Sequence, residues 1–100
     1  MFRKINKDSR QLINRTVYME LFSDRKISYR VTAGRTFRAG EEIDTYGIEA
    51  VDSRTGEFAD ISDFSPDIED AVAFAEMLSA QKTVPRKLYE KALRFLSITI

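Results

Sequence analysis

Cysteine, histidine and tryptophan are all absent from this 100-residue sequence. Without cysteine the chain has no disulfide, no thiolate nucleophile and no cysteine-ligated zinc or iron–sulfur site. Without histidine it lacks the commonest general base, the commonest transition-metal ligand and the usual pH switch near neutrality. We therefore expect no enzymatic activity, no bound metal and no cofactor.

Long apolar runs and glycine-rich loops are also missing. The longest apolar run covers only residues 71–75, which is too short to cross a membrane. Residues 1–8 contain no apolar stretch of the length that a signal peptide needs. The four glycines do not have the spacing of a phosphate-binding loop. These features predict a cytoplasmic protein with neither a membrane partner nor a nucleotide site.

The rest of the composition indicates one folded domain. Hydrophobic residues make up 43% of the chain, with seven Phe and four Tyr among them, which is typical of a globular protein. A chain of this length can bury a core of its own, so we interpret residues 1–100 as a single domain. Residues 1–10 are polar and lack periodicity, and we interpret them as a frayed N-terminal tail, with the lead-in to a strand as the alternative.

The formal net charge is zero, but the two signs are segregated along the chain. Residues 1–40 carry ten basic and three acidic side chains, whereas residues 41–70 carry one basic and eleven acidic. One interpretation is a basic surface for nucleic acid and an acidic surface for a basic partner or a metal. The interpretation we favour is that neighbouring strands bring opposite charges together and neutralise them across a sheet.

Two runs in the first third of the chain alternate apolar and polar residues, which is the period of a half-buried strand. They lie within residues 12–22 and 27–32, and residues 23–26 between them are typical of a turn. A hairpin centred on Asp24 would place its apolar pairs on one face, so we predict that register. The predicted pairs are Leu21 with Ile27, Met19 with Tyr29 and Val17 with Val31.

Residues 33–44 leave two interpretations open. In the first, the second strand continues to Phe37 with a bulge at Gly34, because glycine in a strand often marks a bulge. In the second, the segment is a mobile loop. Its length of twelve residues favours at least some extension of the strand.

A second hairpin is predicted beyond residue 45. Gly56 can take the left-handed conformation that closes a four-residue loop over residues 53–56. Asp52 can accept hydrogen bonds from the backbone amides of that loop. The predicted pairs are Val51 with Phe58, Ala50 with Ala59, Glu49 with Asp60 and Ile48 with Ile61.

Two helices are predicted after the strands. Ser65 is a suitable N-cap and Pro66 a suitable first residue for a helix that residues 81–84 end. A second helix follows Pro85, and its basic last turn suits the helix dipole. Strands followed by helices predict an α+β fold: a four-stranded antiparallel meander with two helices packed on one face. The predicted inward positions are Ile68, Ala71, Val72, Phe74, Ala75 and Leu78, then Leu88, Ala92, Phe95 and Leu96.

No spacing singles out a catalytic or metal-binding set. The acidic stretch of residues 60–67 lacks the glycine that a calcium loop needs at its sixth position. The two Ser-x-x-Lys pairs, Ser23 with Lys26 and Ser79 with Lys82, lack the companion motifs of Ser–Lys enzymes. We therefore name no catalytic, cofactor-binding or metal-binding residue.

The alternation that sends one set of strand residues toward the helices sends another set to the opposite face. That second set is rich in aromatic residues, and we predict a small protein-interaction or regulatory domain that binds a protein partner or a second copy through it. The alternative is a nucleic-acid-binding module that uses the basic, aromatic-interleaved N-terminal strands. The candidate interaction surface consists of Tyr18, Phe22, Arg30, Val51 and Phe58.

Three short motifs follow one another in the second half of the chain. They are Tyr46-Gly47-Ile48-Glu49, Asp60-Ile61-Ser62 after a hairpin, and Val84-Pro85 after a helix, with Leu88 three residues beyond the proline. With these motifs, residues 46–96 resemble a family of short uncharacterised bacterial proteins, a domain of unknown function. The resemblance implies a small bacterial cytoplasmic protein and supplies neither an activity nor site residues.

Overall fold

The structure, a computed structural model, describes residues 13–23 and 26–99. Its four strands form one antiparallel sheet in chain order: β1 (Ile13–Ser23), β2 (Ile27–Arg38), β3 (Glu41–Asp52) and β4 (Phe58–Ser65). Helix α1 (Ile68–Ala80), a 3-10 turn (Pro85–Lys87) and helix α2 (Leu88–Thr99) follow. The predicted α+β fold, a meander followed by two helices on one face, is confirmed. The predicted tail over residues 1–10 lies outside the described residues.

The central strands β2 and β3 form twelve consecutive pairs, from Ile27 with Asp52 to Arg38 with Glu41, without a shift in register. Residues 33–44 therefore belong to the two strands and the turn that joins them, and neither the bulge at Gly34 nor the mobile loop is present. Ala39 and Gly40 form the two-residue turn, with φ angles of 53° and 82°. Positive φ at both positions is the feature of a type I′ turn, whose twist matches that of the strands it joins.

The predicted register of β1 on β2 is wrong by two residues. The observed pairs are Leu21 with Tyr29 and Met19 with Val31. The shift keeps the apolar residues on the same face, and it places Glu20 directly opposite Arg30, whose Nε lies 3.1 Å from the Glu20 carboxylate. Opposite charges across an antiparallel pair favour that register, and apolar alternation alone does not distinguish between the two.

A bulge in β1 also overturns the inward prediction for Val17. The register shifts between Val17 and Met19, so Val17 pairs with Thr32. As a result 55% of the Val17 surface is exposed. Bulges are common in edge strands, where they interrupt the ladder and turn the strand away from further pairing.

The predicted hairpin between β3 and β4 is confirmed in both loop and register. The observed pairs are Val51 with Phe58, Ala50 with Ala59, Glu49 with Asp60 and Ile48 with Ile61. Gly56 has a φ of 80°, and its amide donates a hydrogen bond to the carbonyl of Asp52 at 2.8 Å. Further along, β4 shifts register so that Ser65 pairs with Tyr46.

The core lies between the sheet and the two helices. Phe64 at the end of β4 stacks on Phe74 of α1 with ring centroids 4.7 Å apart, and Phe95 of α2 contacts both rings. The fully buried Tyr29 donates a hydrogen bond from its hydroxyl to the carbonyl of Thr83 at 2.8 Å, which joins β2 to the segment between the helices. The buried apolar residues are Ile27, Tyr29, Val31, Ile48, Ala50, Phe64, Ala71, Phe74, Ala75, Leu78, Leu88 and Ala92.

Helix α1 begins two residues later than predicted. Its N-cap is Asp67, whose side chain accepts a hydrogen bond from the Glu69 amide at 3.1 Å. Ser65 is held in β4 by its pairing with Tyr46, and its Oγ accepts from the Asp67 amide at 3.0 Å. Ser65 therefore caps a backbone amide just ahead of the helix, and Pro66 precedes the helix instead of beginning it.

The predicted break after α1 is confirmed, whereas the predicted basic end of α2 is wrong. Lys82 takes the left-handed conformation, with φ at 53°. The amides of Lys82 and Thr83 donate to the carbonyls of Ser79 and Leu78, the bonding pattern that closes a helix at such a residue. Helix α2 continues to Thr99, so its last turn contains no basic residue.

Gly47 lies where β4 approaches the middle of β3. A Cβ at this position would lie 2.6 Å from the carbonyl oxygens of Ile61 and Ser62, and 2.8 Å from the Thr32 Oγ1. Two of these neighbours are backbone atoms, which cannot rotate away from an added methyl group. The close approach of the two strands therefore requires glycine.

Ala39→Asn should stabilise the protein by about 1 kcal/mol. The left-handed conformation costs a residue with a Cβ roughly 1–2 kcal/mol, and asparagine before glycine is a preferred pair for this turn. Urea denaturation measures the gain. The same substitution at Ala73, which is exposed within α1, should lower stability because asparagine is a poorer helix former than alanine. A loss of stability in both variants would contradict the turn assignment.

Gly47→Ala should destabilise the protein by roughly 1–3 kcal/mol, because the methyl group forces β3 and β4 apart. Gly56→Ala provides the comparison. There a Cβ meets nothing within 4 Å and only the φ of 80° opposes it, so the cost should be about 1 kcal/mol. Thermal and urea denaturation rank the stabilities of the two variants. If Gly47→Ala is as stable as the wild type, β3 and β4 do not approach each other as closely as described above.

Candidate functional site

The register of the three strand pairs sorts the sheet's side chains into rows that cross the strands. Both helices pack against the face that carries Tyr29 and Ile48. Because side chains alternate along a strand, Arg30 and Glu49 point to the other face, which we term the open face. Cross-strand pairing places four residues of the predicted interaction surface on this face, namely Phe22, Arg30, Val51 and Phe58. The fifth, Tyr18, lies at the register shift of β1.

Three of those five residues lie in one row that crosses all four strands. We term this the apolar row; it consists of Phe22, Ser28, Val51 and Phe58, each paired with the next. Phe22 is 60% exposed, while Val51 and Phe58 are half-buried. With neighbouring strands about 4.8 Å apart, the row is about 14 Å long. Tyr18 lies four residues from Phe22 on β1 and is 59% exposed.

The next row carries charge. We term it the charged row; it consists of Glu20, Arg30, Glu49 and Asp60. The Nε of Arg30 lies 3.1 Å from the Glu20 carboxylate, and its Nη1 lies 3.1 Å from that of Glu49. Ser28 Oγ also donates to Glu20 at 2.6 Å. The hydrogen bonds from Ser28 and then Arg30 lower the pKa of Glu20, so this carboxylate is ionised at neutral pH.

The charged row has an excess of negative charge. It contains three carboxylates and one guanidinium, which gives a net charge of −2 at neutral pH. Arg30, predicted as a contact residue, is shared between Glu20 and Glu49. Its role in the structure is therefore to hold two carboxylates side by side on neighbouring strands. The sequence pattern placed Arg30 and Glu49 on the same face but did not show which carboxylates contact Arg30, because those contacts depend on the register.

The prediction that opposite charges meet across the sheet is confirmed. Arg35 lies 3.3 Å from the Glu42 carboxylate and 3.5 Å from that of Asp44. Arg38 contacts the carboxylate of Asp63. Every arginine of β2 therefore faces a carboxylate of another strand, an arrangement that leaves it poorly placed to neutralise phosphates. The nucleic-acid alternative stays a prediction that this charge pattern does not favour.

The two edges of the sheet are partly occupied by the helices. Ser79 of α1 donates a hydrogen bond from its Oγ to the carbonyl of Phe22 on β1 at 3.4 Å. The hydroxyl of Tyr89 of α2 donates to the carbonyl of Asp60 on β4. Together with the register shifts in β1 and β4, these contacts oppose the addition of a fifth strand. The candidate surface is therefore the open face and not an edge.

A charged contact between Asp52 and Arg54 also stabilises the loop between β3 and β4. The buried carboxylate of Asp52 accepts a hydrogen bond from the Arg54 amide at 2.9 Å and from its guanidinium at 3.3 and 3.1 Å. These bonds, first from the side chain and then from the backbone of Arg54, lower the pKa of Asp52. Ser53 donates from its amide to the carbonyl of Lys26 at 2.7 Å, which ties the two hairpins together.

Possible metal ligands, membrane-spanning helices and concavities are the other features that bear on ligand binding. Within residues 13–23 and 26–99, no group of three or more acidic, histidine or cysteine side chains could hold a metal ion. No helix in the same ranges is long and apolar enough to cross a membrane. An open concavity of about 220 Å³ lies between β1, β2 and β3. It contains none of the predicted contact residues; its lining consists of Thr16, Ala33, Gly34, Arg35, Asp44 and Tyr46.

Asp52 should make the stability of the protein fall as the pH drops. A carboxylate whose folded pKa lies below its unfolded value of about 3.9 contributes stability above that value. The contribution is lost as the pH falls through the folded pKa. We expect Asp52→Asn to lower the melting temperature at neutral pH and to flatten its decline in acid, as calorimetry at a series of pH values would show.

Asp44→Asn is the matched control for this change. Asp44 pairs with Arg35 at 3.5 Å, but both side chains are exposed, and such surface pairs contribute about 0–1 kcal/mol. Its melting temperature should therefore follow that of the wild type at every pH. Parallel curves for wild type and Asp52→Asn would show that the buried carboxylate is not responsible for the decline.

No protein-family model matches the chain, and no curated protein or solved structure matches it either. The resemblance of residues 46–96 to a family of short bacterial proteins therefore stays a prediction.

Proposed function

We propose that this chain is a non-enzymatic protein-interaction domain that binds a protein partner through the open face. The supporting observation is the exposure of Phe22, at 60%, on the sheet face opposite the helices, together with that of Tyr18, at 59%, on the same strand. Aromatic surface of this kind is typical of contact sites in small domains. The half-buried Val51 and Phe58 continue the apolar surface across the sheet.

The charged row indicates the kind of partner. Its net charge of −2 at neutral pH would repel the phosphates of a nucleic acid. The same charge attracts a partner that carries basic side chains beside its apolar ones. A protein surface of mixed apolar and basic character therefore fits the open face better than a nucleic acid does.

The proposal includes a regulatory role in the cytoplasm. Such a role needs only a folded surface that another protein recognises, and the absence of cysteine and histidine removes the residues on which many enzymes depend. The resemblance of residues 46–96 to short bacterial proteins would make it a bacterial regulator.

The double variant Tyr18→Ala/Phe22→Ala should lose its partner and keep its fold. Tyr18 and Phe22 are better choices than Phe58, which is half-buried. Removing two exposed aromatic anchors should weaken binding at least roughly tenfold. The protein is first used to capture partners from its source cell in parallel samples with and without nuclease, and the affinity for the purified partner is then measured.

Phe37→Ala is the matched control, because Phe37 is also exposed but alternation places it on the other side of β2. It should bind the partner like the wild type. If the double variant melts like the wild type yet retains full affinity, the open face is not the contact surface. If the captured material disappears on nuclease treatment, the nucleic-acid alternative replaces the proposal.

A further inference from the structure

Strand β1 carries apolar side chains on both of its sides. Met19 and Leu21 pack against the core, whereas Val17 is 55% exposed and Phe22 is 60% exposed. A strand with apolar residues on both sides is typical of a sheet that is covered on both faces. The outer side of β1 therefore has the composition of a surface that another molecule covers.

The outer side chains of β1 are matched level by level with side chains of β2. All three of the β2 residues concerned share the side of Arg30, because side chains alternate along a strand, so the levels belong to the open face. The levels span about 14 Å along β2, at about 3.4 Å per residue. The paired residues, which we term the paired strip, are Phe22 with Ser28, Glu20 with Arg30, and Val17 with Thr32.

We propose that the partner of the open face is the open face of a second copy of this chain, a proposal that rests on the function proposed above. The two copies pack about a two-fold axis that runs along the strands, between β1 and β2. Such an axis keeps each level in place and exchanges the two strands, so that β1 of each copy lies over β2 of the other. Each residue of the paired strip then faces the pairing partner of its own equivalent.

Charge is complementary at the middle level. Glu20 of each copy faces Arg30 of the other copy, while it keeps its contact with Arg30 of its own copy at 3.1 Å. The four charges then alternate in sign around a square, and opposite charges placed in this way favour the contact and fix its register. Both side chains are 35% exposed, so each can reach a second partner.

Size is complementary at the first level. Phe22 of each copy lies over Ser28 of the other copy, so the largest side chain of the paired strip meets the shortest. Facing sheets lie about 10 Å apart with interdigitated side chains, and a ring over a short residue meets that requirement. The Ser28 hydroxyl already donates to Glu20 at 2.6 Å, so the ring covers no unpaired donor. The third level adds Val17, whose exposed side chain lies over β2 of the second copy.

The same charges oppose a two-fold axis that crosses the strands. An axis of that kind through the middle level would bring Glu20 over Glu20 and Arg30 over Arg30, and like charges in contact oppose association. With the axis along the strands, β3 and β4 of each copy extend beyond β1 of the other copy. Glu49 therefore stays at the rim, where it keeps its contact with Arg30 at 3.1 Å, and the surplus negative charge of the charged row lies outside the overlap.

The contact is small, which predicts its strength. It overlaps two strands of each copy over about 14 Å, less than the roughly 1,200–2,000 Å² that specific stable complexes bury. We therefore expect a weak, reversible dimer. Sedimentation equilibrium from about 10 µM to 1 mM covers the range in which an association of this size is measurable.

Reversal of one charge in each of two variants tests the middle level. In Glu20→Arg alone, two arginines of one copy face two of the other, and in Arg30→Glu alone, glutamates face glutamates. Each variant should therefore associate at least roughly tenfold more weakly than the wild type. An equimolar mixture should form a one-to-one heterodimer with about the wild-type affinity, because every arginine of the first variant then faces a glutamate of the second.

Exchange of the residues at the first level tests their size complementarity. Phe22→Ala alone should weaken association roughly tenfold, because an exposed aromatic anchor is lost. The double variant Phe22→Ser/Ser28→Phe should associate like the wild type, since the ring then lies on β2 over the short residue on β1 of the other copy. A double variant as weak as Phe22→Ala would contradict the proposed packing.

Arg35→Glu is the matched control for the charge reversals. Arg35 also pairs with a carboxylate across the sheet, Glu42 at 3.3 Å with both side chains exposed, but alternation places it on the helix-facing side of β2. This variant should associate like the wild type. Thermal melting followed by circular dichroism should show that every variant keeps its fold, and association of the wild type should weaken as salt rises.

The outcomes distinguish this inference from the proposed function. If the mixture of the two charge variants associates no better than either variant alone, the open faces do not meet in this way and the inference is wrong. If the wild type stays monomeric but captures another protein through Phe22, the inference is wrong and the proposed function stands. If it stays monomeric and Tyr18→Ala/Phe22→Ala retains every captured protein, both are wrong.

Discussion

The unshifted ladder between β2 and β3 is the constraint on which the rest of the structure depends. Its register sends Tyr29 and Ile48 toward the helices and Arg30 and Glu49 toward the open face. A slip of one residue would turn the core-facing side chains of one strand to the opposite face of the sheet. The two-residue turn after Arg38 prevents that slip, because its geometry fixes which residues stand opposite each other.

The outer strands do not continue the unshifted register of β2 and β3. Both β1 and β4 shift register along their length, and each also has a carbonyl that accepts a hydrogen bond from a helix side chain, from Ser79 and Tyr89 respectively. The helices therefore cover one face and reach both edges. The helices do not cover the open face, which carries Phe22. The open face is therefore the candidate surface.

The parts of the fold that could be predicted are those in which a local signal and a pairing signal agree. The hairpin of β3 and β4 is such a case, since Asp52 and Gly56 fix the loop that the apolar pairs also require. In β1 two registers satisfy the apolar pattern, and only the position of Glu20 opposite Arg30 separates them. The prediction of Ser65 as the N-cap of α1 is wrong because the local signal and the pairing disagree. Pairing with Tyr46 keeps Ser65 in the strand.

The candidate surface was predictable in composition but not in charge. Alternation alone identifies Tyr18, Phe22, Val51 and Phe58 as outward-facing. The charge of this face depends on the cross-strand rows, because the basic β2 lies beside the acidic β3 and Arg30 shares its row with three carboxylates. Pairing across the sheet therefore sets the arginines of β2 against carboxylates of β1, β3 and β4, which the charge pattern along the sequence does not show by itself.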